Sequence, residues 1–364
     1  MTGVMVESVA NSTLRVYYSK EASIVQATSL AVIMMVAVIG NTLNIIIVYR
    51  NYSMQTPRYL FIINMACGDL GVALLSMPFS LIASISRDWV LGSSFCQLHG
   101  FLGSFFFCVS IFTLTIMSIE QYYALVRPLS RAITIRRAWG MMFAVWALSA
   151  VISIEPIFGW GHFDYNSSTL SCGVAFPRRL SERLYLFLLV MIAFVTPLFI
   201  MGYAYIRIFV AVQKHTTRIA KYTSGGLEVI RLQRRITFTL LLVLFVFLFC
   251  WSPFVTLIAL ANQTSNVSHL PYGLGVAAYW CGFFNSSINP IIFVIRNERF
   301  REGYVEMLGA VWESLRCCLC KAPVWLKPKR FRRTWYLRQS IRHSGPPVAL
   351  GSVNEPHELI NEEP

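Results

Sequence analysis

Seven long apolar stretches constrain this chain more than any other feature. They run at about Ile24–Val48, Tyr59–Ile85, Leu98–Ile119, Trp139–Phe158, Leu184–Val212, Ile236–Ala261 and Leu274–Ile295. Each is about 20 residues or longer, enough for a helix to cross ~30 Å of hydrocarbon. Seven spans place the two ends of the chain on opposite sides of a membrane. Of 364 residues 56% are hydrophobic and only 13% are charged, with a mean hydropathy of +0.58; a soluble domain carries about 25% charged residues. The expectation is an all-α membrane protein. A seven-helix bundle over residues 23–296 follows an extracellular N-terminus at 1–22. A membrane-surface helix eight at 297–316 and a cytoplasmic tail at 317–364 complete it.

The net charge of +14 would suit a nucleic-acid partner, but its distribution follows the membrane. With the N-terminus outside, 25 of the 31 Lys and Arg fall on or beside the cytosolic side, in the connections 49–58, 120–138 and 213–235 and after Ile295. That bias fixes this orientation, puts the protein in the cell membrane as a multi-pass chain and removes the case for nucleic acid. The sequons at Asn11, Asn166, Asn262 and Asn266 all land outside and are candidate glycosylation sites; those at Asn51 and Asn285 do not.

Cys96 and Cys172 are the two cysteines on the oxidising side, so a disulfide between them is the economical assignment. Cys317, Cys318 and Cys320 follow an amphipathic stretch on the other side. Palmitoylation is the reading there; zinc is its rival, with no His nearby. The basic, aromatic segment 327–342 has the composition of a lipid-surface contact.

Polar residues inside the spans need a reason. Asp69 sits in the middle of the second, where a carboxylate costs about 2.5–3.5 kcal/mol on insertion scales unless it has partners. Ser110, Asn285, Ser286 and Asn289 stand at similar depth. A structural hydrogen-bond knot and a hydrated cation site are both open. Pro197, Pro253 and Pro290 interrupt the fifth, sixth and seventh spans and mark kinks.

Taken in order, Gly40-Asn41, Asn64…Asp69-Leu70, Trp89 and Cys96, Trp146, Pro197 and Tyr205, Phe247…Cys250-Trp251-Ser252-Pro253 and Asn289-Pro290 form a pattern. Over about residues 22–320 the chain resembles the rhodopsin-like (class A) G-protein-coupled receptors. The resemblance implies a receptor that opens helix six to a heterotrimeric G protein, with arrestin as a further partner and no enzymatic activity. It implies a sodium ion at Asp69, Ser110, Asn285, Ser286 and Asn289, favouring the inactive state. It also implies signal transmission through Ile111, Pro197 and Phe247 beside Trp251. A multi-pass transporter or channel is the alternative class, but no internal repeat supports it.

Three departures from the family pattern stand at one end of the bundle. The third span ends Glu120-Gln121-Tyr122, with Gln121 where the family has Arg. The foot of the sixth carries Gln233 in place of an acid, and the seventh ends Asn289-Pro290-Ile291-Ile292-Phe293, with Phe for Tyr. The lost Tyr hydroxyl removes a contact to Tyr205. Basal activity or coupling strength is expected to differ. Gly103 occupies the position of the amine-pairing Asp and Phe283 that of the retinal-binding Lys, so the resemblance predicts neither an amine site nor retinal. An apolar pocket with few polar groups suits a lipid or a small neutral ligand.

Overall fold

The computed structural model describes residues 4–9, 13–126, 133–166, 169–175, 177, 179–219, 224–263 and 272–319. Asn11, Asn266, Cys320 and the segment 327–342 lie outside them. So do the side chains of Asn262, Gln233, Cys317 and Cys318. By contacts the chain divides into Met1–Val305 and Glu306–Pro364. A hairpin of β1 (Val4–Val9) and β2 (Thr13–Tyr18) precedes α1 (Lys20–Arg50). Then come α2 (Pro57–Ser86), α3 (Gly92–Val126) and α4 (Ile135–Phe158). A second hairpin follows, β3 (Phe163–Asn166) with β4 (Ser171–Val174). The chain continues through α5, which runs from Leu180 to Ile219, then α6 (Ser224–Gln263), α7 (Tyr272–Arg296) and α8 (Glu298–Leu319). Seven of these helices are long and apolar enough to cross a membrane.

The helices outrun the apolar stretches. α6 begins twelve residues before the hydropathy rises at Ile236, and α5 ends at Ile219, so most of the expected loop 213–235 is helix. Hydropathy marks the part of a helix that sits in lipid; backbone hydrogen bonding carries the helix beyond it. The two hairpins also qualify the all-α expectation, each adding a short antiparallel pair at the connections.

The prolines bend the bundle in two ways. α2 and α5 each contain a π turn, Val72–Ser76 and Met191–Val195, and each turn ends two residues before a proline, Pro78 and Pro197. Proline lacks an N–H and its ring crowds the carbonyl four residues back; a widened turn relieves both. Pro253 and Pro290 instead sit in unbroken helix, and side chains take up the carbonyls they strand. Ser252 donates to the Phe249 carbonyl at 3.0 Å. Asn41 Nδ2, from α1, donates to the Ser286 carbonyl at 3.0 Å. That bond is possible because Gly40 lets α1 close on α7: a Cβ there would sit 2.6 Å from Pro290 Cγ. The pairing of Gly40-Asn41 with Pro290 is therefore one device, in which the glycine permits the approach and the amide repairs the backbone.

Candidate functional site

At one end of the bundle the Cys96–Cys172 disulfide ties β4 to the start of α3, as expected. The hairpin lies over the helices there. Gly100 leaves room for the Phe163 ring, and Gly173 for the Tyr279 hydroxyl. A buried histidine joins the hairpin to the helices at this end. His99 is buried, its Nδ1 2.8 Å from the Cys172 carbonyl and its Nε2 3.1 Å from Ser80 Oγ. Nδ1–H donates to the carbonyl, while Nε2 faces the Ser80 hydroxyl, which can serve as either partner. The signal was present in the sequence: Ser76, Ser80 and Ser84 recur at four-residue spacing along α2, and all are buried.

Beneath the hairpin lies a narrow cavity of about 80 Å³. Its walls run from Val174 past Gly103, Phe107 and Trp251 to Ser110 and Asn285. Among the described residues no carboxylate, Lys or Arg lines it; His99 and Tyr279 are the titratable groups on its wall. The floor is aromatic. Phe107 sits 4.2 Å from Trp251 and 6.1 Å from Phe247 between ring centroids, and Trp251 meets Phe254 edge-on at 5.7 Å. Ile111 and Phe247 are fully buried and Pro197 is buried with them, but Phe107, unremarked in the sequence, is the ring through which α3 reaches Trp251.

Below the aromatic floor the expected polar residues converge. Asp69 is 1% exposed and its Oδ2 accepts from Asn289 Nδ2 at 2.9 Å; Ser286 is a second hydrogen-bonding neighbour. No described Lys or Arg pairs with this carboxylate. Ser110 Oγ, Asn285 Oδ1 and Asn289 Oδ1 are buried without a hydrogen-bond partner. Buried oxygens are seldom left so. A buried carboxylate bonded to Asn289, with orphaned oxygens on Asn289 itself, on Asn285 of the same helix and on Ser110 of α3, is the kind of donor set that a hard cation takes, so the residue types present fit a sodium ion. A neighbouring network is fully satisfied by contrast: Trp146 Nε1 donates to Asn64 Oδ1 and Asn64 Nδ2 to Thr113 Oγ1, both at 2.8 Å.

The far end carries the departures. Glu120 does not meet a neighbouring arginine; it pairs with Arg58 of α2, Nε to Oε2 3.3 Å. Gln121 is fully buried, and its Nε2 donates to Thr237 of α6 at 3.3 Å while its Oε1 has no partner. The rings of Tyr122 and Tyr203 of α5 meet at 6.2 Å. The Tyr205 hydroxyl lies 3.0 Å from Ser118 Oγ. Phe293 turns to α8, stacking on Phe300 at 5.7 Å. Tyr304 then donates to the Gly40 carbonyl at 2.8 Å, tying the first turns of α8 to α1.

Residues 40–293 match the family described as 7 transmembrane receptor (rhodopsin family), and the chain belongs to it. It is 30% identical over 311 residues to the Gq-coupled rhodopsin of Mizuhopecten yessoensis, covering 80% of this chain but 60% of that protein's length. It is 30% identical to the melatonin receptor type 1B of Rattus norvegicus (77% and 76% covered). A high-affinity lysophosphatidic acid receptor of Xenopus laevis is 26% identical (83% and 87% covered). The fold is that of squid rhodopsin, with a TM-score of 0.78 over 95% of this chain and 98% of that one at 21% identity. The chain is thus a multi-pass membrane receptor of a family that is not enzymatic, which settles the class against a transporter or channel.

Proposed function

We propose that the protein binds a small uncharged ligand beneath the β3–β4 hairpin and activates a heterotrimeric G protein at the opposite, cytosolic end, with its N-terminus outside. The observation that carries the ligand reading is that, among the described residues, no carboxylate, Lys or Arg lines the cavity wall. A buried ionic ligand leaves an unpaired charge in a low-dielectric site, at a cost of several kcal/mol. Among the relatives' namesake ligands, melatonin is uncharged and suits such a wall; lysophosphatidic acid carries a phosphate, and no described Lys or Arg on the wall would pair with it. Gly103 and Phe283 stand where a charged amine or a retinal Schiff base would be held, which supports the same choice.

Ligand contact at Phe107 and Trp251 would be passed to α6 through Phe247, and sodium at Asp69 would oppose it by binding the closed bundle better. Gln121, where the family has Arg, favours altered basal activity, because among the described side chains it reaches α6 through a neutral bond to Thr237. Cys317, Cys318 and Cys320 are proposed lipid-anchoring cysteines, and Ser340 and Ser344 candidate phosphorylation sites for arrestin.

Gly103 offers a clean test. Gly103 lines the cavity and a Cβ there meets nothing within 4 Å, so Gly103→Phe starts its side chain in open space and takes up room that a ligand would use. The expected result, in a screen of uncharged aromatic compounds against purified receptor, is one that raises the wild-type melting temperature and has at least tenfold weaker affinity for Gly103→Phe, a loss of about 1.4 kcal/mol. Equal affinity for both proteins would place the ligand elsewhere.

A further inference from the structure

α6 has to be held in the closed bundle by something, and at its cytosolic foot the polar link to α3 among the described side chains is the neutral Gln121–Thr237 bond. Its foot is held from the other side. α7 ends at Arg296 and the chain breaks direction at Asn297 before α8 begins. The last carbonyls of a helix lack intrahelical donors and carry the negative end of its dipole. Arg235 of α6 supplies a donor to one of them: its Nε–H donates to the Arg296 carbonyl at 3.0 Å. Its Nη1 lies 3.9 Å from Glu298 Oε2, in the first turn of α8. Arg296 answers across the same seam, its guanidinium 4.8 Å above the Phe238 ring of α6.

We infer that Arg235 latches the cytosolic foot of α6 to the α7–α8 corner, and that this latch, rather than an ionic bond from position 121 of α3, holds the receptor closed. The parts are unequal. The pair with Glu298 is long and its side chains are 43% and 50% exposed, so it adds little. The charge-assisted bond to a helix-terminal carbonyl is the stronger element. Arg235 and Arg296 lie on different helices, so an outward swing of α6 separates donor, acceptor and ring together. The inference rests on the proposed role of α6 as the moving helix.

The test uses full-length receptor in lipid nanodiscs, with hydrogen–deuterium exchange followed in peptides covering residues 235–243. Arg235→Ala is expected to raise exchange there by about three- to tenfold, with α4 peptides unchanged. Arg235→Lys keeps the charge but lacks the fork, and falls between; Glu298→Gln raises exchange by about twofold or less. Wild-type exchange in Arg235→Ala would overturn the latch. Should that variant loosen α4 as well, Arg235→Lys decides: a rise confined to α6 supports the latch, and no rise overturns it. Basal nucleotide exchange on G proteins is read in parallel. Faster hydrogen exchange with no G-protein turnover by any variant leaves the latch standing and counts against the G-protein reading instead.

Discussion

Replacing Cys172 by Ser is expected to destabilise the receptor by about 2–5 kcal/mol and to remove most of it from the cell surface. The bond closes a loop of 76 residues, which includes all of α4, and so restrains a large part of the unfolded ensemble. The folded state loses more than the crosslink. Cys172 is 2% exposed and its carbonyl is the acceptor for His99, so release of β4 also frees a buried imidazole and uncovers the cavity. Melting temperature under non-reducing conditions is the measurement, with Cys96→Ser/Cys172→Ser alongside to exclude mispairing by a single free thiol. A melting temperature equal to that of wild type in both would show that the bond contributes nothing.

Replacing Asp69 by Ala is expected to abolish a sodium effect that wild type displays. Exchanging an inert organic cation for sodium at constant ionic strength should lower wild-type basal nucleotide exchange by about fivefold or more, the usual lower range for coupling between sites. The carboxylate supplies the one formal negative charge among the converging oxygens, so Asp69→Ala leaves Ser110, Asn285 and Asn289 without the group that draws a cation in. It also removes the Asp69 acceptor of Asn289 Nδ2, and a modest fall in melting temperature should accompany the change. An equal sodium response in the variant would remove the cation from this site.

How much of this was legible in the residues differs from element to element. The seven spans follow from hydropathy alone, and Asp69, Ser110, Asn285, Ser286 and Asn289 were findable because polar side chains inside apolar runs are costly. The pairing of Cys96 with Cys172 followed from sidedness. The π turns left a trace in Pro78 and Pro197, but a proline reads equally as a simple kink until the hydrogen bonds are seen. Glu120 with Arg58, and Arg235 with the Arg296 carbonyl, left none. Each joins helices far apart in sequence through one side chain, and in the second case the acceptor is backbone, which no residue type announces. Phe107 was hidden for a different reason: in a helix as apolar as α3, one ring looks like any other until its centroid is found 4.2 Å from Trp251.

The protein is a rhodopsin-family receptor whose cytosolic contacts are arranged around Gln121. The most direct measurement is basal GDP–GTP exchange by purified wild type and Gln121→Arg, at equal receptor amounts, across a panel of heterotrimeric G proteins. An arginine at 121 would compete with Arg58 for Glu120 and lose the bond to Thr237. The account predicts that wild type drives exchange on at least one G protein and that Gln121→Arg changes that rate severalfold. Indistinguishable rates for the two proteins, or none above empty nanodiscs from either, would contradict it.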